Sequence, residues 1–304
     1  MKWPGDSTKR RVQHALAISR WAYVPLVLAC LAYAIYRASD VVLPMLRHAH
    51  PLLLLAAVVA WSALQLLTPV FSWLAMRDLG AGLRYRDVLR IYVARLPAKY
   101  LPGGIWHTVS RMADFHRAGI ERPLLARLVA LENTVPLGVA ALLGGGLTAI
   151  DRPRMGMLAA VVGVALLCVV FVLLRRRPSA RGGISPAGFA AAVLASAAFW
   201  VLASLAFTCY WAAYPTDATT ALLARVPGAY MLAWAAGFAA VFAPQGVGVF
   251  EATIGMLLKG TIPLAGTALI AAGFRVVILA ADLLAFCALQ LLRKASAPAV
   301  IDRP

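Results

Sequence analysis

Long apolar runs are the feature that most limits what this sequence can fold into. A helix needs roughly 20 consecutive, mainly apolar residues to cross the hydrocarbon core of a bilayer. Six runs approach that length: Trp21–Val42, Leu52–Met76, Leu128–Ile150, Met155–Leu174, Gly188–Tyr214 and Leu264–Leu292. Of the 304 residues 62% are hydrophobic and only 13% are charged, against about 25% charged in soluble domains. The pattern predicts an all-α, polytopic membrane protein with about six transmembrane helices.

Two further segments have a helical pattern that proline and glycine interrupt. The first broken segment is Asp87–Ala118, interrupted at LPGG, and the second is Pro227–Leu258, interrupted at PQGVG. Each half has about 12 to 16 residues, or roughly 18–24 Å of helix, which is shorter than a membrane span. We therefore expect two re-entrant hairpins of half-helices. The expected helix breaks are at Pro102, Pro244, Gly246 and Gly248.

The basic residues predict an orientation. The chain has 29 Lys and Arg residues against 12 Asp and Glu, and its formal net charge is +17. If the N-terminus is cytoplasmic and both broken segments return to the side they left, most of these cations fall in cytoplasmic loops, as membrane proteins favour. This predicts a multi-pass protein of a bacterial-type inner (plasma) membrane with both termini in the cytoplasm. The cations form no basic soluble domain, so we expect no nucleic-acid partner.

The two broken segments occupy matching positions in two halves. Residues 1–20 form a basic tail, 21–150 a first membrane repeat, 151–292 a second membrane repeat, and 293–304 a short tail. Each half reads span, span, broken segment, span, and the two halves start from opposite sides. This is an inverted-topology repeat, which is typical of secondary transporters. The alternative is that two breaks coincide by chance, because Pro and Gly are common in membrane helices.

Basic side chains surround the first break. Arg95 and Lys99 are four residues apart, as are His107 and Arg111, so each pair shares one face of a half-helix. A helix that restarts after the break exposes unpaired N–H groups and a partial positive charge. We therefore predict an anion site, sized for a lipid phosphate headgroup, formed by Arg95, Lys99, Gly103, Gly104, His107 and Arg111. The alternatives are that the cations extend to the membrane surface and that His107 is a structural hydrogen-bonder.

Four ionisable residues lie in apolar segments, where they usually face a cavity or a partner. They are predicted to form a gating or coupling network, in which Arg275 pairs with Glu251 or Asp282; the set is Glu132, Glu251, Arg275 and Asp282. A purely structural ion pair is the alternative. The sequence has no metalloprotease, nucleophile-elbow or P-loop motif. We therefore predict no catalytic residues, no metal site and no cofactor.

The residues around both breaks resemble the transmembrane region of lysylphosphatidylglycerol synthases, a flippase-like integral membrane family. The resemblance covers roughly residues 20–292. An aromatic-aliphatic-Pro-Gly motif after a lysine matches Lys99–Gly103. A Pro-Gly-Gly-x-Gly-x-x-Glu motif matches Pro244, Gly246, Gly248 and Glu251, with Gln245 in place of the usual glycine. The resemblance implies movement of a lipid between leaflets, with aminoacylated phosphatidylglycerol as the best-known cargo.

The sequence therefore predicts a flippase-like lipid translocase. Its expected cargo is an anionic or aminoacylated phospholipid or a lipid-linked substrate, recognised through an anionic phosphate headgroup. Because the soluble synthase domain of that family has no counterpart in this sequence, we do not expect an enzyme. One alternative is a non-catalytic partner subunit of a separate lipid- or glycan-modifying enzyme, which would use basic loops such as Arg175–Arg181. Another is a membrane-embedded transferase with Glu132 or His107 as base.

Overall fold

The computed structural model describes residues 47–100, 106–176, 183–214, 220–240, 243, 246–258 and 264–295. Within these ranges the protein is helical and has no strand. The α-helices in chain order are α1 Pro51–Asp78, α2 Tyr85–Ala94, α3 Trp106–Arg117, α4 Arg122–Ala149, α5 Pro153–Arg176, α6 Pro186–Ala212, α7 Thr220–Ala239, α8 Val249–Leu257 and α9 Leu264–Ala295, and the 3-10 helix Leu96–Tyr100 lies between α2 and α3.

Five of these helices have the length and apolar composition needed to cross a membrane. They are α1, α4, α5, α6 and the Ile270–Leu292 part of α9. The predicted all-α, polytopic class is thereby confirmed, and five of the six predicted spans have a matching helix. The remaining one, Trp21–Val42, lies outside the described residues. Apolar side chains along α5 are exposed, for example Leu158 at 66% and Val161 at 64%, as expected of a helix that faces lipid.

The first broken segment has an interruption, ahead of LPGG, that the sequence did not predict. α2 has 10 residues and ends at Ala94, because Pro97 has no N–H to donate and also disfavours helical backbone at Leu96. The chain then forms the five-residue 3-10 helix and resumes as α3, which has 12 residues. The sequence predicted that Arg95 and Lys99 share one α-helical face. They do not, because α2 ends before Arg95 and Lys99 lies in the 3-10 helix. The expected break residues Pro102, Gly103 and Gly104 lie outside the described residues.

The second broken segment also departs from prediction at its start. α7 begins at Thr220 and has 20 residues, or about 30 Å of helix, which is longer than the half-helix predicted from Pro227. Pro227 lies inside α7, because membrane helices tolerate proline where neighbouring groups satisfy the freed carbonyl. α8 is short, with 9 residues.

Two glycines of the second break, Gly246 and Gly248, have left-handed backbone. Gly246 has φ 65° and Gly248 has φ 86°, which is the left-handed region that favours glycine. A Cβ on Gly246 would lie 2.7 Å from the Cα of Gly237 on α7, so the break also requires a close backbone approach. The other predicted break residue here, Pro244, lies outside the described residues.

α1 and α6 lie side by side in opposite directions. At one end the His50 N–H donates to the Ala213 carbonyl at 2.7 Å. At the other end the Asp78 carboxylate accepts from the Ser185 N–H at 2.8 Å and from its hydroxyl at 2.5 Å. These helices are the second spans of the two predicted halves. Opposite orientations are what an inverted repeat requires, although the repeat itself stays a prediction.

α4 and α5 contact each other through glycine. A Cβ on Gly156 would lie 2.2 Å from the backbone nitrogen of Ala149, and one on Gly163 would lie 2.5 Å from the Gly138 carbonyl oxygen. Small residues let membrane helices approach this closely and gain packing contacts. The contact fixes α4, which carries Glu132.

Candidate functional site

A cavity of about 320 Å³ lies among α1, α2, the 3-10 helix, α3, α4, α6 and α7. This volume falls within the range of about 300–1,000 Å³ that is usual for small-molecule sites. Its charged lining comes from the first broken segment and α4, and its aromatic lining comes mainly from α1, α6 and α7. The aromatic residues in the lining are Trp61, Phe71, Tyr92, Phe199, Trp200, Trp234 and Phe238.

The structure brings the predicted basic residues to this one cavity. Arg95, Lys99, His107 and Arg111 all line it, and so does Glu132. The predicted backbone donors, Gly103 and Gly104, lie outside the described residues. The other three members of the predicted coupling network do not line the cavity. Asp282 accepts a hydrogen bond from the lining residue Lys99. Glu251 and Arg275 form a separate ion pair with each other.

Arg111 and Glu132 form the most buried ion pair of the cavity. Their side chains are only 12% and 9% exposed. The Arg111 Nη2 donates to Glu132 Oε2, while Glu132 Oε1 accepts from the Ser72 hydroxyl at 2.6 Å and from the Tyr92 hydroxyl. The Arg111 guanidinium also lies 4.2 Å from the centre of the Tyr92 ring. A buried carboxylate with three donors, one of them a paired cation, is well compensated for its lost hydration.

Arg95 is held by a carboxylate that the sequence analysis did not find. Its Nε and Nη2 donate to the two oxygens of Asp114 at 2.5 and 2.8 Å. Arg117 donates to the same carboxylate at 2.6 Å. The Asp114–Arg117 contact follows from helical spacing, but the Arg95 contact joins the end of α2 to α3, and no local pattern indicates it.

Asp282 links the last helix to the first half of the chain. Its carboxylate accepts from Gln65 Nε2 at 2.5 Å, from Lys99 Nζ at 3.0 Å and from the Tyr100 hydroxyl at 2.8 Å. The side chain is 1% exposed. Lys99 and Asp282 are 183 residues apart in sequence, so only the folded chain reveals this contact.

Of the two partners considered for Arg275, the structure pairs it with Glu251. The Arg275 Nε and Nη2 donate to Glu251 Oε1 at 3.1 and 3.0 Å. Glu251 Oε2 accepts from the Gly248 N–H at 2.6 Å, and so it caps the first turn of α8. The Glu251 carboxylate therefore connects the start of α8, just after the second break, to Arg275 on α9.

These contacts change the electrostatic character that the sequence suggested. Arg95, Lys99 and Arg111 each have a carboxylate partner, namely Asp114, Asp282 and Glu132. The three pairs together are neutral. A ligand anion in this cavity therefore competes with the protein's own carboxylates instead of entering an uncompensated positive cluster.

Two buried side-chain polar atoms of the lining residues have no hydrogen-bond partner among the described residues. They are the Nε of Arg111 and the hydroxyl of Ser196 on α6, a residue that is 3% exposed. Buried polar groups are nearly always hydrogen-bonded. Unpaired polar atoms on two different helices are therefore consistent with a polar ligand in this cavity.

In the part of the chain that the structure describes, no cluster of three or more His, Cys, Asp or Glu side chains could hold a metal ion. The cavity's chemistry is that of charged and hydrogen-bonding side chains beside aromatic rings. Such a lining can bind an amphiphile by its polar and apolar parts together. In comparisons with known proteins, no family model and no curated protein matches this chain.

Proposed function

We propose that this chain is a flippase-like lipid translocase, which moves an amphiphile with an anionic phosphate headgroup between the leaflets of a membrane. The observation that carries the proposal is the cavity, which combines three arginine or lysine side chains with a large aromatic lining inside a bundle of apolar helices. The resemblance around the two breaks supports the same function. The cargo would be an anionic or aminoacylated phospholipid or a lipid-linked substrate.

The physical reason is the cost of moving a headgroup through hydrocarbon. A charged group in the bilayer needs partners in place of its water. Arg95, Lys99 and Arg111 would supply such partners to a phosphate, and the Ser196 hydroxyl would donate a further hydrogen bond. The aromatic side chains would contact the apolar part of the ligand at the same time. The protein would thus lower the barrier without a catalytic group, and it would not act as an enzyme.

We further propose that the fold is an inverted repeat of six transmembrane helices and two re-entrant hairpins. The opposite directions of α1 and α6 support this architecture. So do two ion pairs in matching places: in each half, a residue on the short helix after the break pairs with a residue on the next long helix. These pairs are Arg111 with Glu132 and, with the charges reversed, Glu251 with Arg275.

In this architecture the two halves rock about the cavity and expose it to each side in turn. The basic loops favour an inner-membrane protein with both termini in the cytoplasm. Transport would run down the lipid gradient or be driven by an ion gradient. Glu132, Glu251 and His107 would be the groups able to carry a proton.

The test is a reconstitution of the full chain into liposomes. Trace amounts of fluorescent phosphatidylglycerol, its lysyl ester or a polyprenyl phosphate are included, and dithionite then quenches the label in the outer leaflet. Protein-dependent quenching of inner-leaflet label is the expected result for at least one of the three. The variant Lys99→Met should slow it, whereas Arg225→Met, at an exposed ion pair outside the cavity lining, should not.

Equal, protein-independent quenching of all three lipids would contradict the proposal. The partner-subunit alternative would then be examined by asking whether the chain co-purifies with a lipid- or glycan-modifying enzyme.

A further inference from the structure

We propose that Asp282 occupies, at Lys99, the position that the ligand phosphate takes, so that binding exchanges one anion for the other. Asp282 is then a built-in competitor that sets the ligand affinity and admits only ligands with a net negative headgroup. The identity of the ligand as a lipid rests on the proposed function. The exchange itself rests on the contacts around Lys99.

Lys99 is the one lysine among the three paired cations. It reaches Asp282 with one hydrogen bond of 3.0 Å, and its side chain is 35% exposed. Arg111 is buried, pairs with a buried carboxylate and lies over the Tyr92 ring. Arg95 is held by two hydrogen bonds from its guanidinium to Asp114. An ammonium–carboxylate contact is easier to break than a bidentate or buried guanidinium–carboxylate contact.

Asp282 keeps hydrogen bonds after Lys99 leaves. Gln65 Nε2 donates to one carboxylate oxygen at 2.5 Å, and the Tyr100 hydroxyl donates to the other at 2.8 Å. A carboxylate that keeps two donors remains partly compensated. Lys99 can therefore turn to a second anion, and Asp282 stays in place to recover Lys99 when that anion departs.

The position of Lys99 fits this role. Its side chain lines the cavity, whereas Asp282 and Tyr100 are not part of the lining. A phosphate in the cavity can therefore contact Lys99, and it then competes with Asp282 for the same ammonium. Since a neutral or zwitterionic headgroup brings no net charge to replace that carboxylate, the competition selects anionic amphiphiles.

The experiment measures the Kd of dodecyl phosphate by calorimetry, with the purified full chain in an uncharged detergent. Asp282→Asn removes the competing charge and keeps one acceptor oxygen, which can serve either Gln65 or Tyr100. We expect it to tighten binding about tenfold, which corresponds to about 1.4 kcal/mol. Asp151→Asn makes the same charge change at an exposed ion pair outside the cavity lining, and it should alter the Kd by less than about twofold because salt screens a distant charge.

Two further variants identify the cation and guard against misfolding. In Lys99→Met/Asp282→Asn the tightening should disappear, because the receiving cation is gone. Tyr100→Phe removes one of the hydrogen bonds that Asp282 keeps without Lys99, so Asp282 should hold Lys99 more firmly. Ligand binding should then weaken by about threefold, the size of one modest hydrogen bond. This variant provides the test if Asp282→Asn does not fold.

The proposal is overturned if Asp282→Asn binds no more tightly than the wild type, or if its tightening persists without Lys99. It is also overturned if Tyr100→Phe leaves the Kd unchanged, or if dodecylphosphocholine binds as well as dodecyl phosphate. A separate arm uses inorganic phosphate. If inorganic phosphate shows the same exchange with equal affinity, the exchange stands and the lipid cargo of the proposed function is wrong.

Discussion

Arg111 and Glu132 are joined by a buried ion pair that ties the helix after the first break to the next long helix. Glu251 and Arg275 make the corresponding connection after the second break, with the charges in reverse order. Each broken segment is thus anchored to its own half of the chain by one carboxylate. The Lys99–Asp282 contact, in contrast, crosses between the halves.

Breaking the Arg111–Glu132 pair from one side should be costly. Glu132→Gln leaves the buried Arg111 guanidinium without its counter-charge, and we expect the free energy of unfolding to fall by about 3–5 kcal/mol. Arg111→Met/Glu132→Gln removes both charges and should recover much of that loss. Denaturant unfolding in detergent, followed by tryptophan fluorescence, measures both variants.

The matched control for this prediction is Asp151→Asn, which breaks the exposed Arg225–Asp151 pair. Its expected cost is no more than about 1 kcal/mol, because water and salt screen exposed pairs. If Glu132→Gln lost no more stability than Asp151→Asn, the claim that burial makes the Arg111–Glu132 pair costly to break would be wrong.

Gly246 should be far less tolerant of a side chain than other loop glycines. Gly246→Ala meets both a φ of 65° and a Cβ position 2.7 Å from the Cα of Gly237, so we expect a loss of roughly 2 kcal/mol or more. Gly82, which has open space around it and an ordinary φ, is the control. Gly82→Ala should be neutral or stabilising by up to about 1 kcal/mol, and thermal unfolding compares the two; equal stability would contradict the geometry of the break.

The contact between α4 and α5 makes a similar paired prediction. Gly156→Ala places a methyl group 2.2 Å from the Ala149 nitrogen and should cost about 1–3 kcal/mol through overpacking. Gly146→Ala, on the facing helix α4, meets nothing within 4 Å and should leave stability unchanged or raise it slightly. A thermal melt in which both variants behave alike would show that these helices do not approach through glycine.

The sequence predicted the class of the fold because long apolar runs have few alternatives. It also placed Gly246 and Gly248 at a break, since these positions need backbone that only glycine adopts easily. It missed the end of α2 at Ala94, because Pro97 is less conspicuous than the LPGG motif, whose predicted break lies outside the described residues. It misplaced the start of α7, because Pro227 is accommodated inside the helix.

For the candidate site, the sequence identified the residue types and offered Glu251 as a partner of Arg275, but it did not indicate the partners of Arg95, Lys99 and Arg111. Ionisable residues in apolar segments singled out Glu132, Glu251, Arg275 and Asp282, and all four are paired in the fold. Glu132 and Glu251 pair with arginines 21 and 24 positions away, whereas Asp282 pairs with Lys99, 183 positions away. Such contacts depend on how helices pack, which spacing within one segment does not reveal.

The most direct measurement is dithionite quenching in liposomes with a variant that fills the cavity. Ala195 lines the cavity on α6, whereas its neighbour Leu194 is 70% exposed on the outer surface. We predict that Ala195→Phe abolishes movement of fluorescent phosphatidylglycerol or polyprenyl phosphate and that Leu194→Phe preserves it. Wild-type and Ala195→Phe protein that move these lipids equally would show that the cavity is not the path and would contradict the account.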